Sequence, residues 1–163
     1  EKVALLGKRL DDAVAYLMNI HARYLFETRF YEQRSRGQLS VDELNDLMTT
    51  AQKEAYVDGL SCYHPLFWAS KLHFYSTGQP FYNFPYTFGY LFSMALYARA
   101  REEGAEFERR YVALLEDTGR MSVADLAKKH LGADLTDPSF WQQGLVIVYK
   151  DLDDLLALTE ATN

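Results

Sequence analysis

The apolar residues of this sequence recur at steps of three and four positions along most of its length. That period gathers them on one face of an α-helix, whereas a half-buried strand needs strict alternation, which no segment shows strongly. The β-branched run Val146–Val148 lies inside a long helical pattern, so we interpret it as buried helix. The sequence therefore predicts an all-α protein, a multi-helix bundle that forms one helical unit over residues 1–163.

Capping signals and glycine or proline residues divide the pattern into seven predicted helices. Ser40 and Glu43 form a capping box at the start of the second helix, and Pro65 suits the first turn of the third. Residues 77–85 contain one glycine and two prolines and are predicted to be a loop. The predicted helices cover about 3–33, 41–60, 66–75, 86–103, 107–117, 123–131 and 139–160.

The long first helix carries an apolar stripe of helical period. The stripe is predicted to face the core, and a neighbouring stripe runs through Phe26 and Phe30. Glu27 has Arg29 two residues further on, so we expect it at the surface edge of the stripe. The predicted core-facing residues are Leu10, Val14, Leu17, His21 and Tyr24.

Charge and composition exclude several classes of partner. The formal net charge is -6 and the basic residues form no run, so nucleic acid is not an expected partner. No apolar stretch reaches the roughly 18 residues of a membrane span. Cys62 is the single cysteine, which excludes an intrachain disulfide and a thiolate metal cage. A reducing compartment, the cytoplasm, is the expected location.

The sequence contains no predicted set of metal ligands. Its four histidines are His21, His64, His73 and His130; no two are four residues apart, and H-E-x-x-H does not occur. A G-x-S-x-G nucleophile motif is also missing. The side chains of this sequence can therefore only assist a reaction, and the metal or nucleophile that attacks the substrate must come from elsewhere.

The segment from His73 to Tyr90 is the one most suited to such assistance. Tyr82, Tyr86 and Tyr90 follow at four-residue steps, and on a helix Tyr86 and Tyr90 share a face. An imidazole and phenols that converge on one cleft can donate hydrogen bonds to a developing oxyanion. The same spacing is also typical of a packing stripe with a core histidine. Gly89 within the helix indicates close approach by another backbone or a ligand.

These residues also carry a resemblance to a known family. His73–Tyr75 and the string Pro80–Phe92 resemble the C-terminal motif of the oligoendopeptidase F family of zinc metallopeptidases, which is related to thimet oligopeptidase. The resemblance covers nearly the whole chain. It continues through Tyr24–Glu27, Gly37–Leu44, Tyr111–Gly119 and Gly132–Trp141.

The resemblance implies a zinc metalloendopeptidase that hydrolyses short peptides. In that family two histidines of H-E-x-x-H and a downstream glutamate hold one Zn²⁺, and the glutamate of the motif activates a bound water. By motif position, His73, Tyr90 and Tyr82 would bind substrate. Tyr82 and Tyr86 are both candidates for the catalytic phenol that stabilises the oxyanion. The choice between them stays open, because the spacing from His73 to the Gly-Tyr pair is longer here than in thimet oligopeptidase.

The metal-binding segment of that family is missing from this sequence. We therefore expect a C-terminal portion of a zincin-type catalytic domain, whose Zn²⁺ is held elsewhere in the full-length protein. Alone, the chain is expected to be inactive and to self-associate through the surface that packs on the N-terminal portion. The alternative is a helical scaffold or peptide-binding module with no chemistry of its own.

Overall fold

The computed structural model describes residues 1–160, and that part of the chain is helical without a strand. This confirms the all-α prediction. A π-helical turn, Ala15–Asn19, joins the first two helices, and the 3₁₀ segments Pro65–Ser70 and Leu72–Tyr75 lie between the third and fourth. The α-helices are α1 Lys2–Val14, α2 Ile20–Arg34, α3 Val41–Ala55, α4 Phe84–Glu103, α5 Ala105–Asp117, α6 Val123–Leu131 and α7 Pro138–Glu160.

The chain divides into two compact units. Unit 1 combines Glu1–Gly7 with the chain from Gly89 onward, and unit 2 is Lys8–Phe88. Each unit has its own hydrophobic core. The prediction that residues 1–163 form a single helical unit within a larger catalytic domain stays a prediction.

The core of unit 2 forms where α2 packs on α3. Phe26, Leu47, Met48 and Ala51 are buried there. Burying a side chain of the size of Phe or Met contributes about 1.5–3 kcal/mol, so this contact stabilises the unit. The residues that pack around it, partly buried, are Leu25, Phe30, Leu39, Leu44, Phe67, Trp68 and Phe74.

Helix α3 begins where the capping box predicts. The Ser40 hydroxyl accepts a hydrogen bond from the Glu43 amide, and the Glu43 carboxylate accepts one from the Ser40 amide at 2.7 Å. The helix ends at Ala55, earlier than predicted, because Val57 and Asp58 adopt left-handed backbone angles with φ of 52° and 53°. The residues after Ala55 therefore belong to a turn.

The predicted apolar stripe of the first helix is wrong in part. Val14, His21 and Tyr24 are exposed, whereas Ala13, Ile20 and Phe26 are buried. The π-helical turn at Ala15–Asn19 explains the difference, because it takes up about one extra residue and an α-helix turns by about 100° per residue. Residues before and after the turn therefore do not keep the face that an unbroken helix would give them.

The predicted third α-helix is replaced by the two 3₁₀ segments. Lys71 has an extended backbone, with φ -112° and ψ 104°, and separates them. Each segment is too short for a stable α-helix and is held by tertiary contacts instead. The Trp68 indole donates a hydrogen bond to the Asn45 side chain at 2.9 Å, and Phe67 and Phe74 pack against the α2–α3 core.

The core of unit 1 brings α4 and α7 close together at Gly144. A Cβ added to Gly144 would lie 2.8 Å from the Met94 Cβ and 2.9 Å from the Ala95 nitrogen, so only glycine fits. Gly89 has no atom within 4 Å of such a Cβ, so the backbone approach predicted there is absent from the described residues. The buried residues of this core are Ala95, Phe107, Leu114, Leu126, Ala127, Leu131, Ala133 and Phe140.

Within residues 1–160, no helix combines the length and apolar character needed to cross a bilayer.

Candidate functional site

Four pieces of unit 2 supply the candidate site. Helix α2 contributes Arg23 and Glu27, and the 3₁₀ segments with their junction contribute Lys71 and His73. The predicted loop is present as turns between Tyr75 and α4, and α4 begins at Phe84. The site residues of the loop and of the first turn of α4 are Phe81, Tyr82, Asn83 and Tyr86.

Helix α2 holds the loop at two points. The Phe81 amide donates a hydrogen bond to Glu27 Oε1 at 2.7 Å, and Arg23 Nη1 donates one to Asn83 Oδ1 at 3.1 Å. Phe81 has a left-handed φ of 56°, and its ring packs on Tyr24 at a centroid distance of 5.7 Å. These contacts fix the loop on both sides of Tyr82, whose side chain is exposed.

Glu27 is buried, so the prediction that it lies at the surface is wrong. Its side chain is 4% exposed, and Arg29, its expected surface neighbour, pairs with Glu54 instead. Burial raises the pKa of the Glu27 carboxyl, and the hydrogen bond from the Phe81 amide opposes that rise. Its place between Phe26 and Phe30 on the buried face was the signal available in the sequence.

An apolar cavity of about 190 Å³ lies beside the Glu27 carboxyl. Side chains from α2, α3 and both 3₁₀ segments form its wall. A cavity of this size accepts a small apolar group. Its lining residues are Phe26, Glu27, Phe30, Tyr31, Leu44, Trp68, Phe74 and Tyr75.

Two of the predicted phenols form a hydrogen-bonded pair. The Tyr86 hydroxyl donates to the Tyr82 hydroxyl at 3.2 Å, and their ring centroids are 5.9 Å apart. This hydrogen bond, together with the charge that Tyr82 would carry when ionised, raises the pKa of Tyr86. Tyr82 and Tyr86 are 46% and 45% exposed, so they are not part of a core packing stripe.

His73 lies beside this pair. Its ring is 6.2 Å from the Tyr82 ring between centroids, and the two planes differ by 23°. The pKa of His73 is lowered, first by burial and then by the positive charges of Arg23 and Lys71. The imidazole is therefore held neutral, with one donor and one acceptor nitrogen. Its Nε2 atom is buried and has no hydrogen-bond partner.

The structure thus brings together three of the four predicted site residues, His73, Tyr82 and Tyr86. Tyr90 follows Tyr86 by four residues in α4 and belongs to unit 1.

Two cations and an amide beside His73 were not predicted from the sequence. The Arg23 guanidinium lies 5.4 Å from the centroid of the Phe67 ring, and Lys71 Nζ lies 4.5 Å from the same centroid. Asn83 is 4% exposed and is hydrogen-bonded to Arg23. These residues come from three separate segments, so no local spacing in the sequence marks them as a group.

The described residues do not form a zinc site. Nowhere in residues 1–160 do three His, Cys, Asp or Glu side chains gather closely enough to hold a metal ion. Around His73, Arg23 and Lys71 would repel a cation, and Cys62 is exposed elsewhere in the unit. The groups that surround His73 are hydrogen-bond donors, two of them cationic.

No protein-family model, curated protein or solved structure matches this chain.

Proposed function

We propose that this chain is part of a zinc oligopeptidase and forms the wall of its cleft that binds short peptides and stabilises the oxyanion. The observation that carries the proposal is the Tyr86–Tyr82 hydrogen-bonded pair, exposed to solvent and next to a neutral histidine. The resemblance of the segment to the oligoendopeptidase F family supplies the reaction. In this proposal the Zn²⁺ is held by an H-E-x-x-H segment in another part of the full-length protein.

His73 binds the backbone of the substrate. A neutral imidazole can donate to a peptide carbonyl or accept from a peptide N–H. Its Nε2 atom is buried and unpartnered, which costs free energy until a ligand supplies a partner. A peptide strand at His73 would pair with this atom once the groups that cover it move aside. Tyr90 is proposed as a second substrate-binding phenol, on its motif position alone.

The two phenols act as a relay of hydrogen bonds. Because the Tyr86 hydroxyl donates its hydrogen bond to the Tyr82 oxygen, the O–H of Tyr82 stays free to point at a substrate oxygen. A hydroxyl that accepts one hydrogen bond becomes a better donor of the next. Tyr82 is therefore proposed as the donor to the oxyanion, and Tyr86 as the residue that orients and polarises it.

Substitutions in the full-length protein test this order. Tyr82→Phe should lower kcat about 100- to 1000-fold, the usual loss for one oxyanion donor, with little change in KM. Tyr86→Phe should lower kcat by a smaller factor. The double variant should have the same kcat as Tyr82→Phe, because Tyr86 acts through Tyr82. Tyr149→Phe, at an exposed tyrosine of α7, is the control. A larger loss for Tyr86→Phe than for Tyr82→Phe would reverse the two roles, and an unchanged kcat in both would remove the pair from the reaction.

Two further measurements test the assignment to a peptidase. The purified 163-residue chain, supplied with Zn²⁺, should not hydrolyse a quenched fluorescent peptide, and zinc-dependent turnover would refute this. A reading frame that continues upstream of Glu1 through an H-E-x-x-H segment would support the proposal. A start codon next to Glu1 would favour the alternative.

The alternative is a peptide-binding module without chemistry. The apolar cavity of about 190 Å³ beside the polar groups of the site favours it, since such a surface can bind a side chain and a backbone together. In that case Tyr82→Phe would weaken peptide binding, and the full-length protein would not hydrolyse the bound peptide.

A further inference from the structure

The cations of the candidate site have no acidic partner. Arg23 and Lys71 both lie over the Phe67 ring, and neither forms an ion pair with a carboxylate anywhere in residues 1–160. Glu27 is one helical turn from Arg23, yet its Oε1 atom accepts a hydrogen bond from the Phe81 amide. Both side chains are partly buried, and a cation that loses water without gaining a carboxylate partner favours an anionic ligand.

Three nitrogens of this region are also buried without a hydrogen-bond partner. They are Arg23 Nε, Asn83 Nδ2 and His73 Nε2. Arg23 connects the other two, since it donates to the Asn83 side chain and its charge acts on His73. Most buried polar atoms in proteins are paired, so a cluster of three unpaired ones marks a place where an acceptor belongs.

We infer that this cluster, the cations Arg23 and Lys71 with the neutral His73 and Asn83, binds a carboxylate of the peptide. A guanidinium offers donors in the planar arrangement that matches a carboxylate, and the amide of Asn83 and the amine of Lys71 add donors of the same kind. Both cations contact the aromatic ring of Phe67, which favours their positive charge. The inference rests on the proposed function only in taking the ligand to be a peptide.

The cluster lies close to the proposed position of the scissile bond. His73 belongs to the cluster and is also 6.2 Å from the Tyr82 ring, between centroids. One residue of an extended peptide spans about 3.3–3.6 Å, so the carboxylate lies within a few residues of the bond to be cut. It is therefore either the C-terminal carboxylate of a short peptide or an acidic side chain near that bond.

Fluorescence polarisation with labelled pentapeptides tests the inference on the 163-residue chain, whose helical content is first checked by circular dichroism. One peptide has a free C-terminal carboxylate, the second is its amide, and a further pair of amides carries Glu or Gln near the C-terminus. The carboxylate form of one pair should bind about 10- to 100-fold more tightly, the range expected for hydrogen bonds to a charged group. Tighter binding of the free acid than of its amide would identify the C-terminal carboxylate as the ligand. Tighter binding of the Glu peptide than of the Gln peptide would identify an acidic side chain. Equal affinities in both pairs would overturn the inference.

Substitutions in the cluster sharpen the test. Arg23→Gln should abolish the preference for the carboxylate, and Lys71→Gln should reduce it. Arg36→Gln removes the same charge from an exposed position of unit 2 and should leave the preference intact. If Arg23→Gln disturbs the helical content, Lys71→Gln carries the test, because Lys71 packs only at the edge of the core. An equal loss with Arg36→Gln would show an effect of net charge and would refute the site.

The outcome separates this inference from the proposed function. Hydrolysis at equal kcat/KM within both peptide pairs, acid against amide and Glu against Gln, by the full-length protein would refute the carboxylate site and leave the peptidase. Selective binding of carboxylates, with no hydrolysis by the full-length protein, would support the carboxylate site and refute the peptidase.

Discussion

The buried carboxyl of Glu27 helps to hold the candidate site of unit 2 in place. It accepts the Phe81 amide at 2.7 Å and thereby holds the loop that presents Tyr82. Burial raises its pKa, because the charged form loses water and gains only one neutral donor in return. The loop is therefore held by a group whose protonation state depends on pH.

The first prediction concerns this carboxyl. Because the folded state raises the pKa of Glu27, its contribution to the free energy of unfolding is largest below the ordinary value of 4.5 and is lost as the pH rises through the raised value. Glu27→Gln keeps an oxygen for the Phe81 amide and cannot ionise. The variant should gain stability relative to the wild type as the pH rises from about 4.5 toward neutral. Urea unfolding of both proteins over this pH range measures the difference, and a difference that is constant with pH would contradict the prediction.

At the scale of single residues, the sequence predicted the groups that lie close along the chain. Tyr82 and Tyr86 were predicted from four-residue spacing, and the structure joins their hydroxyls. Arg23 and Asn83 were not predicted, because they are 60 residues apart and meet only through the fold. Glu27 was predicted at the surface edge of the stripe because Arg29 follows two residues later, but the residue is buried beside the α2–α3 core.

Among the helices, the contact of α4 with α7 at Gly144 is the most exacting. The second prediction is that Gly144→Ala lowers the free energy of unfolding by about 1–3 kcal/mol, the usual cost of overpacking a core. The added methyl would meet the Met94 Cβ and the Ala95 backbone, neither of which can rotate away. Denaturant unfolding followed by circular dichroism measures the loss.

Gly89→Ala on α4 is the matched control for that variant. Its Cβ has no atom within 4 Å, so the substitution should add up to about 1 kcal/mol of helix propensity. If Gly144→Ala were as stable as Gly89→Ala, the close approach of α4 and α7 would be wrong.

The helices that the sequence predicted well are those with local boundary signals. Ser40 caps α3, Ser122 caps α6, and Gly132 ends α6 in a left-handed conformation with φ 60°. The 3₁₀ segments were predicted as one α-helix with Pro65 in its first turn. Their real conformation depends on tertiary packing of Phe67 and Phe74, which no local pattern encodes.

On the scale of the whole molecule, much apolar surface is exposed. In unit 1, residues from α4 and α5 line an apolar groove of about 390 Å³, and Tyr97 and Tyr111 on it are 50% and 40% exposed. Contiguous exposed apolar surface is typical of an interface. This feature supports the expectation that the chain associates with itself when it is alone.

The third prediction follows from this groove. Sedimentation velocity should show a mass that rises with protein concentration, because self-association buries the apolar surface. Tyr97→Ser combined with Tyr111→Ser should weaken the association, whereas Tyr149→Ser at an exposed site of α7 should not. A sedimentation coefficient that stays at the monomer value at every concentration would contradict the expectation.

The two tethers of the loop place unequal limits on how the sequence can vary. The backbone N–H of Phe81 cannot be reversed, so position 27 must carry an acceptor long enough to reach it, which leaves glutamate or glutamine. The amide of Asn83 can present either its oxygen or its nitrogen, so the fold alone would admit an acceptor as well as a donor at position 23. If related sequences always carry glutamate or glutamine at position 27, the fold alone explains it. If they always carry arginine at position 23, the reason is the ligand that the protein binds.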